Sequence, residues 1–279
     1  MRLNGPAPRV VVCDNASSDG SMEMLRQWAR GELPVEAPAS PIASGYAPVA
    51  RDHRCYGRVQ AERGGAADDP PLVFIETGGN LGFAGGNNVG LRYALARGDA
   101  RHVWLLNNDA VADPDALRAL VDRIEADKAG MCGSTVLHYA DPETCQARCG
   151  GRFDYAKGGP TGHIGEGMKR AELARHPVDP ATIDYVMGAS MLVSRAFLER
   201  VGLMWEGYFL FFEEIDWAER GRRAGFSLAY APDSFVWHKG GASTGKLVDA
   251  SYYGSPTDHY FLRNRLLFTR RHRPWLLPL

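Results

Sequence analysis

The chain has 279 residues, of which 45% are hydrophobic and 23% charged, values that are ordinary for a soluble globular protein. Its formal net charge is −1, so no overall basic field indicates nucleic-acid binding. No apolar run reaches the roughly 20 residues of a membrane span, and the first residues lack the apolar region of a signal peptide. We therefore expect a cytoplasmic protein with one large domain or two small ones.

The five cysteines are odd in number and irregularly placed, which does not indicate a disulfide framework. Cys145 and Cys149 lie close together in the sequence, with Cys132 further away. Reduced thiols are favoured over a zinc site.

Three segments in the first 130 residues each predict a strand, a polar loop and a helix. Their strands are predicted at 10–12, 72–75 and 103–106. Alternating strands and helices indicate a parallel sheet with right-handed crossovers. Ligands of such sheets lie at the carboxyl ends of the strands, where Asp14, Asn80 and Asp109 fall.

The segment 31–71 has almost no periodicity and is rich in Ala, Pro, Gly and Arg. A loop this long is usually functional or disordered, and a flexible insertion is favoured over an ordered lid. After residue 130 the sequence predicts strands, a glycine-rich stretch at 141–180, and a final strand ending at His238. The tail 252–273 predicts an aromatic, basic helix.

The stretch "WLLNNDAVAD" ends an apolar strand in Asn107, Asn108 and Asp109. An unpaired carboxylate is costly away from water, so these residues indicate a strand that ends at a ligand cleft. Mg²⁺ and Mn²⁺ sites often use one or two carboxylates together with substrate phosphates. A turn or helix-capping aspartate explains Asp109 equally well.

The glycine-rich loop 78–88 invites comparison with dinucleotide-binding loops. Its glycines do not have the G-x-G-x-x-G spacing, so a tight turn between strand and helix is favoured over a nicotinamide site.

Three carboxylates, Glu213, Glu214 and Asp216, follow an aromatic run. Like charges beside apolar groups raise carboxylate pKa values, as a general base requires. Acidic residues also suit the first turn of a helix, and both explanations can hold together.

His238 ends the last predicted strand and is either a structural histidine or a ligand. The arginines of the tail form either a solvated helix face or a contact for an anionic membrane or a diphosphate.

Six motifs occur in order along the chain: "VVVCDNASSDGS", "GGNLGFAGGNNVGL", "VWLLNNDAVADPDAL", "GASMLVSRAFLERVG", "FFEEIDWAERGRRAGF" and "VWHKGGAST". With them the chain resembles the family 2 glycosyltransferases of the GT-A fold, in particular the rhamnosyltransferase-like bacterial branch. The resemblance runs from about Arg9 to Arg271, excluding 31–71. It implies an α/β fold with a mostly parallel, Rossmann-like sheet flanked by helices and a smaller mixed acceptor-side region.

The resemblance also implies the roles of individual residues. Asp109 would bind Mg²⁺ or Mn²⁺ together with His238, and Glu214 would be the catalytic base, with Asp216 as the second candidate. The nucleotide-sugar pocket would be formed by Asp14, Asn15, Asn80, Gly82, Asn87, Asn88 and Asn108.

The activity that the resemblance implies is an inverting sugar transfer from a nucleotide donor, with dTDP-rhamnose favoured over a UDP-sugar. The acceptor would be a cell-envelope polysaccharide or a lipid-linked glycan, and the basic tail would contact the inner face of the membrane. A non-catalytic protein that still binds nucleotide or glycan is the alternative, ahead of a nicotinamide-dependent oxidoreductase.

We expect a single GT-A domain over 1–279. Its parts would be a nucleotide-sugar-binding half at 1–130, an acceptor half at 131–250 and a helix at 251–279. Relatives begin with an additional strand and helix, whereas this sequence begins at what resembles their second strand. A start codon placed too late is favoured over replacement of that strand or a degraded protein.

Overall fold

The computed structural model describes residues 3–4, 7–33, 49–240 and 256–277. The chain divides into two compact units. We call Pro6–Ala100 the N-terminal unit, and Met1–Gly5 together with Arg101–Leu279 the C-terminal unit.

The N-terminal unit contains a three-stranded parallel sheet in the order β1-β3-β2. Its elements are β1 (Val10–Asp14), α1 (Ser21–Ala29), β2 (His53–Gly57), α2 (Arg58–Ala61), β3 (Leu72–Glu76) and α3 (Gly82–Arg97). The central strand β3 is a continuous apolar run with Leu72 to Ile75 all buried, as expected for a strand covered on both faces.

Strand β2 and helix α2 lie inside the segment predicted to be flexible. They are held by the fully buried carboxylate of Asp69, which accepts hydrogen bonds from the hydroxyls of Tyr56 and Tyr93 and pairs with Arg97 at 3.2 Å. Burial alone would raise the pKa of Asp69, but the two tyrosine hydrogen bonds and the Arg97 charge lower it. The prediction of a flexible insertion is therefore wrong for 49–71, while 34–48 lies outside the described residues.

Within its described residues, the C-terminal unit contains nine strands and four α-helices. Its strands are β4 (His102–Leu106), β5 (Ala110–Ala112), β6 (Met131–His138), β7 (Cys145–Arg148), β8 (Gly150–Asp154), β9 (Gly159–His163), β10 (Tyr185–Val186), β11 (Ser190–Ser194) and β12 (Leu228–His238). Its helices are α4 (Ala116–Asp127), α5 (Arg195–Val201), α6 (Glu213–Arg223) and α7 (Pro256–His272), with 3-10 turns at Arg170–Arg175, Pro180–Thr182, Glu206–Tyr208 and Pro274–Leu276. The predicted boundary at residue 130 falls inside this unit, between α4 and β6.

The nine strands form a mixed sheet. Its main path runs β10-β8-β7-β6-β11-β4, with β12 beside β6 and β5, and β9 beside β8. Of these pairs β6 with β12 is parallel, and the others are antiparallel. Strand β4, which the strand–helix pattern predicts in a parallel sheet, pairs instead antiparallel with β11, Leu106 opposite Ser190.

Two packing arrangements position the functional groups of this unit. Helix α4 packs Leu120 and Ile124 against the β6, β11 and β12 side of the sheet, next to the pairing of β5 with β12 that sets His238 opposite Ala110. Helix α7 packs Phe268 against Phe153 and Phe212, beside the start of α6. None of the helices in the described ranges is both long enough and apolar enough to cross a membrane.

Candidate functional site

In the N-terminal unit, an amide network joins the loops that follow β1 and β3. The Asn15 side-chain nitrogen donates to the Asn80 side-chain oxygen at 3.2 Å and to the Gly82 carbonyl at 3.1 Å. The Asn15 side-chain oxygen accepts from the Leu81 backbone N–H at 3.0 Å. Three of the residues predicted for the nucleotide pocket are thus in direct contact.

The same loops are held by Thr77 and Ser17. The Thr77 hydroxyl donates to the Asp14 carbonyl at 2.9 Å and to the Gly79 carbonyl at 2.8 Å. The Asp14 carboxylate accepts from the Ser17 backbone N–H at 3.3 Å. Asp14 therefore lies at the carboxyl end of β1, as predicted, with its carboxylate held by the following turn.

Helix α3 begins at Gly82, whose φ of +70° is the left-handed conformation that glycine adopts readily. The Asn87 side chain donates to the Phe83 carbonyl at 2.9 Å, within the same helix. Asn88 is buried with 1% of its surface exposed. A side chain at Gly86 would lie 3.2 Å from the Asn15 amide, so a glycine there leaves room for the network.

In the C-terminal unit, the structure brings together Asp109 and His238, the residues predicted as metal ligands. Asp109 follows β4 in the turn before β5, and its carbonyl accepts from the Lys239 N–H at 3.0 Å. His238 Nε2 lies 3.1 Å from Asp109 Oδ1. Asn107, in the same turn, places its side-chain nitrogen 3.3 Å from Nε2. Asn108, between Asn107 and Asp109 in the sequence, is exposed.

No sequence pattern indicates Gln146, which contacts the second ring nitrogen of His238. Its side-chain oxygen lies 2.9 Å from His238 Nδ1. A hydrogen on Nδ1, donated to that oxygen, leaves a lone pair on Nε2 that faces the Asp109 carboxylate. Burial lowers the pKa of His238, more than the Asp109 charge raises it, which favours this neutral form.

These donors suit a divalent cation. With the hydrogen on Nδ1, His238 Nε2 and the Asp109 carboxylate would present two electron-pair donors 3.1 Å apart, an arrangement that a cation would stabilise. The hydrogen bond from the second ring nitrogen to Gln146 is typical of metal-binding histidines. Within the described ranges no group of three or more His, Cys, Asp or Glu side chains is arranged to hold a metal ion, so the remaining ligands would be substrate oxygens or water.

The acidic cluster divides into two kinds of carboxylate. Glu213 is 4% exposed and Glu214 is partly buried, and the Oε2 atom of each is buried without a hydrogen-bond partner in the described structure. Burial raises the pKa of Glu214 to about 7. Burial, together with the charge of Glu214, raises the pKa of Glu213 well above its usual range. A carboxylate that titrates near neutrality can accept a proton during a reaction.

Asp216 differs from Glu213 and Glu214 because its carboxylate contacts side chains of α6 and α7. Its Oδ1 lies 2.6 Å from His272 Nε2, and its Oδ2 accepts from Arg220 Nε at 2.7 Å. Burial alone would raise the pKa of Asp216, but the His272 hydrogen bond and the Arg220 charge lower it to about 2. A fully buried and ion-paired carboxylate is a poor proton acceptor, so this geometry favours Glu214 over Asp216 as the base.

The turn before α6 is strained. Phe209, Phe211 and Phe212 have φ values of 66°, 67° and 76°, in the left-handed region that large side chains rarely adopt. Each such residue costs of order 1–3 kcal/mol and persists where surrounding contacts hold it. The strain lies directly before Glu213 and Glu214, the first two residues of α6.

Comparison with known families shows the family to which this chain belongs. The model of the family described as "Glycosyltransferase like family 2" matches residues 70–251. This match covers more than half of the chain, and the chain belongs to that family.

The curated relatives have low sequence identity to this chain. The low-salt glycan biosynthesis hexosyltransferase Agl10 of Haloferax volcanii is 25% identical over 165 residues, 56% of this chain and 48% of that protein. The N-acetylglucosaminyl-diphospho-decaprenol L-rhamnosyltransferase of Mycobacterium tuberculosis is 24% identical over 74% of this chain and 69% of its own. The dTDP-rhamnosyl transferase RfbF of Shigella flexneri is 23% identical over 76% and 68%. The match thus spans about half of the Haloferax protein.

Among solved structures, the mannosyltransferase PcManGT from Pyrobaculum calidifontis, in complex with GDP-Man and Mn²⁺, aligns with a TM-score of 0.50 and 16% identity. The alignment covers 99% of this chain and 65% of the other. At this identity the likeness concerns the fold, and it confirms the GT-A prediction.

Proposed function

We propose that this protein is a metal-dependent, inverting glycosyltransferase that moves a sugar from a nucleoside-diphosphate donor to a glycan or lipid-linked acceptor. The observation that carries the proposal is the pair of Asp109 and His238, whose Oδ1 and Nε2 atoms lie 3.1 Å apart. Asp109 and His238 would hold Mg²⁺ or Mn²⁺, which when bound supplies positive charge for the leaving diphosphate.

Glu214 is the proposed base. Its carboxylate takes the proton from an acceptor hydroxyl, and that oxygen attacks the anomeric carbon from the face opposite the diphosphate. The new bond from oxygen to the anomeric carbon forms as the bond to the diphosphate oxygen breaks. One displacement inverts the anomeric configuration and leaves a nucleoside diphosphate and a protonated Glu214. The raised pKa of Glu214, about 7, suits this exchange near neutral pH.

For the donor we propose dTDP-rhamnose, with a UDP-sugar as the second choice. Support comes from the names of the mycobacterial and Shigella relatives, both of which are rhamnosyl transferases. In the N-terminal unit, the residues proposed to contact the nucleotide-sugar are Asp14, Asn15, Asn80, Gly82, Asn87 and Asn88. Asn108 of the C-terminal unit completes the proposed set.

The acceptor side of the proposal includes the surface of an anionic membrane. Leu262 and Leu266 on α7 are 57% and 61% exposed, and Trp275, just after it, is 72% exposed. Arg265 and Arg270 are exposed on the same helix. Apolar side chains interspersed with arginines suit an interface with anionic lipids. Cosedimentation with phosphatidylglycerol vesicles, in the wild type and in the Leu266→Ser and Trp275→Ser double variant, tests this contact.

The first experiment is calorimetric titration of dTDP and UDP into the protein with and without Mn²⁺, followed by assay of nucleoside diphosphate release from dTDP-rhamnose and UDP-sugars. We expect Mn²⁺-dependent binding and acceptor-dependent release. Binding without release from any donor and acceptor tested would instead support the non-catalytic alternative. Transfer that survives both EDTA and the Asp109→Ala change would contradict the metal role.

A further inference from the structure

The turn that carries Glu213 and Glu214 does not hold itself in place. Three of its phenylalanines, Phe209, Phe211 and Phe212, have positive φ values. A backbone in this conformation requires partners from another part of the chain. The partners are on α7, far away in the sequence.

Asn264 on α7 forms these contacts with the turn. Its side chain is fully buried, and its nitrogen lies 3.0, 2.6 and 2.9 Å from the carbonyl oxygens of Tyr208, Leu210 and Phe211. Three carbonyls of the turn therefore converge on one amide group, which shares its two hydrogens among them.

The side-chain oxygen of Asn264 also has hydrogen-bond partners. Arg263 donates to the Asn264 side-chain oxygen from Nε at 3.0 Å and from Nη2 at 2.8 Å. The Arg263 Nη2 group also donates to the Gly207 carbonyl at 3.0 Å. Because the carbonyls accept and the guanidinium donates, only one orientation of the Asn264 amide satisfies both sides.

We infer that Asn264, supported by Arg263, is a positioning residue that holds the 207–212 turn so that Glu213 and Glu214 stay buried and directed for proton transfer. The inference rests on the proposed function of Glu214. It assigns the C-terminal helix α7 a role in building the catalytic centre, in addition to any contact with acceptor or membrane.

The chemistry of the site makes this role specific to an asparagine. A leucine has a similar shape but removes the amide donor from the Leu210 and Phe211 carbonyls and leaves the Tyr208 carbonyl with Arg263 alone, whereas an aspartate places a negative oxygen against them. Either change favours relaxation of the turn, because its strained φ values are then no longer held.

Relaxation of the turn would change the pKa values of Glu213 and Glu214. The titratable groups that interact with Glu214 are Glu213 on the same helix and Tyr185 on β10. Burial is the main cause that raises the pKa of both glutamates. Water that enters beside a loosened turn would therefore lower both pKa values.

The test compares Asn264→Leu with the wild type in two measurements. The first follows the glutamate carboxyl carbons of ¹³C-labelled protein by NMR as a function of pH, with Glu214→Gln used for assignment. The second measures kcat and the donor KM across the same pH range. Thr269→Val is the matched control, because Thr269 is buried on the same helix and donates only to the Arg265 carbonyl within it.

We expect the Glu214 titration in Asn264→Leu to move from near 7 towards the ordinary glutamate range, with kcat reduced roughly 10- to 100-fold and donor KM little changed. Thr269→Val should leave both unchanged. If Asn264→Leu does not fold, Arg263→Met, which removes the support for the amide, should give a smaller shift in the same direction.

Two failures can be told apart. If the wild type transfers no sugar but the glutamate titration shifts in Asn264→Leu, the proposed function fails and the positioning of the carboxylates stands. If a folded Asn264→Leu, or Arg263→Met in its place, titrates and turns over like the wild type, the inference is overturned.

Discussion

Nε2 of His238 lies 3.1 Å from a carboxylate oxygen of Asp109, although the two residues are far apart in the sequence. The antiparallel pairing of β5 with β12 produces this contact, since His238 lies opposite Ala110, the residue after Asp109. Sheet pairing therefore assembles the proposed metal site from the turn before β5 and the end of β12.

Replacing Asp109 with asparagine should remove most of the Mn²⁺ dependence of nucleotide binding. The amide keeps the shape of the side chain but loses the charge that the cation requires. Calorimetric titration of dTDP with and without Mn²⁺ measures the effect, and we expect affinity in the presence of Mn²⁺ to fall about 10-fold or more. Asp115→Asn is the control, because Asp115 is an exposed carboxylate paired with Arg118 at 2.9 Å. Equal Mn²⁺ dependence in both variants would rule out Asp109 as a ligand.

Gln146→Leu should weaken Mn²⁺ binding without touching either proposed ligand. The leucine removes the acceptor for His238 Nδ1, so the imidazole loses its fixed orientation. Loss of such a supporting hydrogen bond typically costs about 10- to 100-fold in metal affinity. Titration of Mn²⁺ by electron paramagnetic resonance measures the free ion. Gln146→Glu restores an acceptor and should recover binding, and a leucine variant that binds as tightly as the wild type would contradict the orienting role.

Glu214→Gln should abolish transfer while stabilising the fold at alkaline pH. Removing a general base typically lowers kcat by about 10²- to 10⁴-fold. The folded-state pKa of Glu214, about 7, lies above the value of 4.5 for a free glutamate. The unfolded chain therefore loses its proton first as pH rises, and the wild type loses stability between about pH 4.5 and 7, by roughly 1–3 kcal/mol.

Thermal unfolding at pH 5 and pH 8 measures this effect. The Glu214→Gln variant should match the wild type at pH 5 and unfold at higher temperature at pH 8. Glu213→Gln should show a similar gain in stability at pH 8 and keep measurable sugar transfer. The two variants together distinguish the effect of a buried carboxylate on stability from the effect of the base on catalysis. For the wild type, kcat should rise with pH through about 7, as the base ionises. Normal turnover in the Glu214→Gln variant would show that another residue is the base.

Asp216→Asn should destabilise the protein strongly. The change leaves Arg220 and His272 beside a neutral amide in a buried site, and breaking a buried ion pair from one side costs about 3–5 kcal/mol. The pKa of Asp216 is lowered to about 2, so this stabilisation is present above pH 4 and is lost as pH falls towards 2. Urea unfolding at pH 7 measures the loss. The exposed pair of Arg123 and Asp127 is the comparison, and Asp127→Asn should cost less than about 1 kcal/mol.

Local sequence patterns predicted the strands β1 and β3 and the polar loops that follow them. A continuous apolar run and a glycine-rich loop are properties of neighbouring residues, so they can be recognised without knowledge of the fold. The same patterns placed Asp14, Asn80 and Asp109 at strand ends. Their roles towards the nucleotide and metal remain predictions.

Other features depended on contacts between distant residues. The ordering of 49–71 results from the burial of Asp69 among Tyr56, Tyr93 and Arg97, and no periodicity in the segment indicates it. The antiparallel pairing of β4 with β11 likewise depends on a strand that follows much later in the chain.

The acidic cluster shows most clearly which properties are local to the sequence and which depend on the tertiary structure. The sequence alone determined that three carboxylates begin a helix after an aromatic run, because composition and spacing are local. Only the tertiary structure decided that Asp216 pairs with His272 and Arg220, whereas in the described structure the Oε2 atoms of Glu213 and Glu214 are buried without a hydrogen-bond partner. The pKa of a carboxylate depends on the charges and water within a few ångströms of it, and those neighbours come from α7 and from the turn that Asn264 holds.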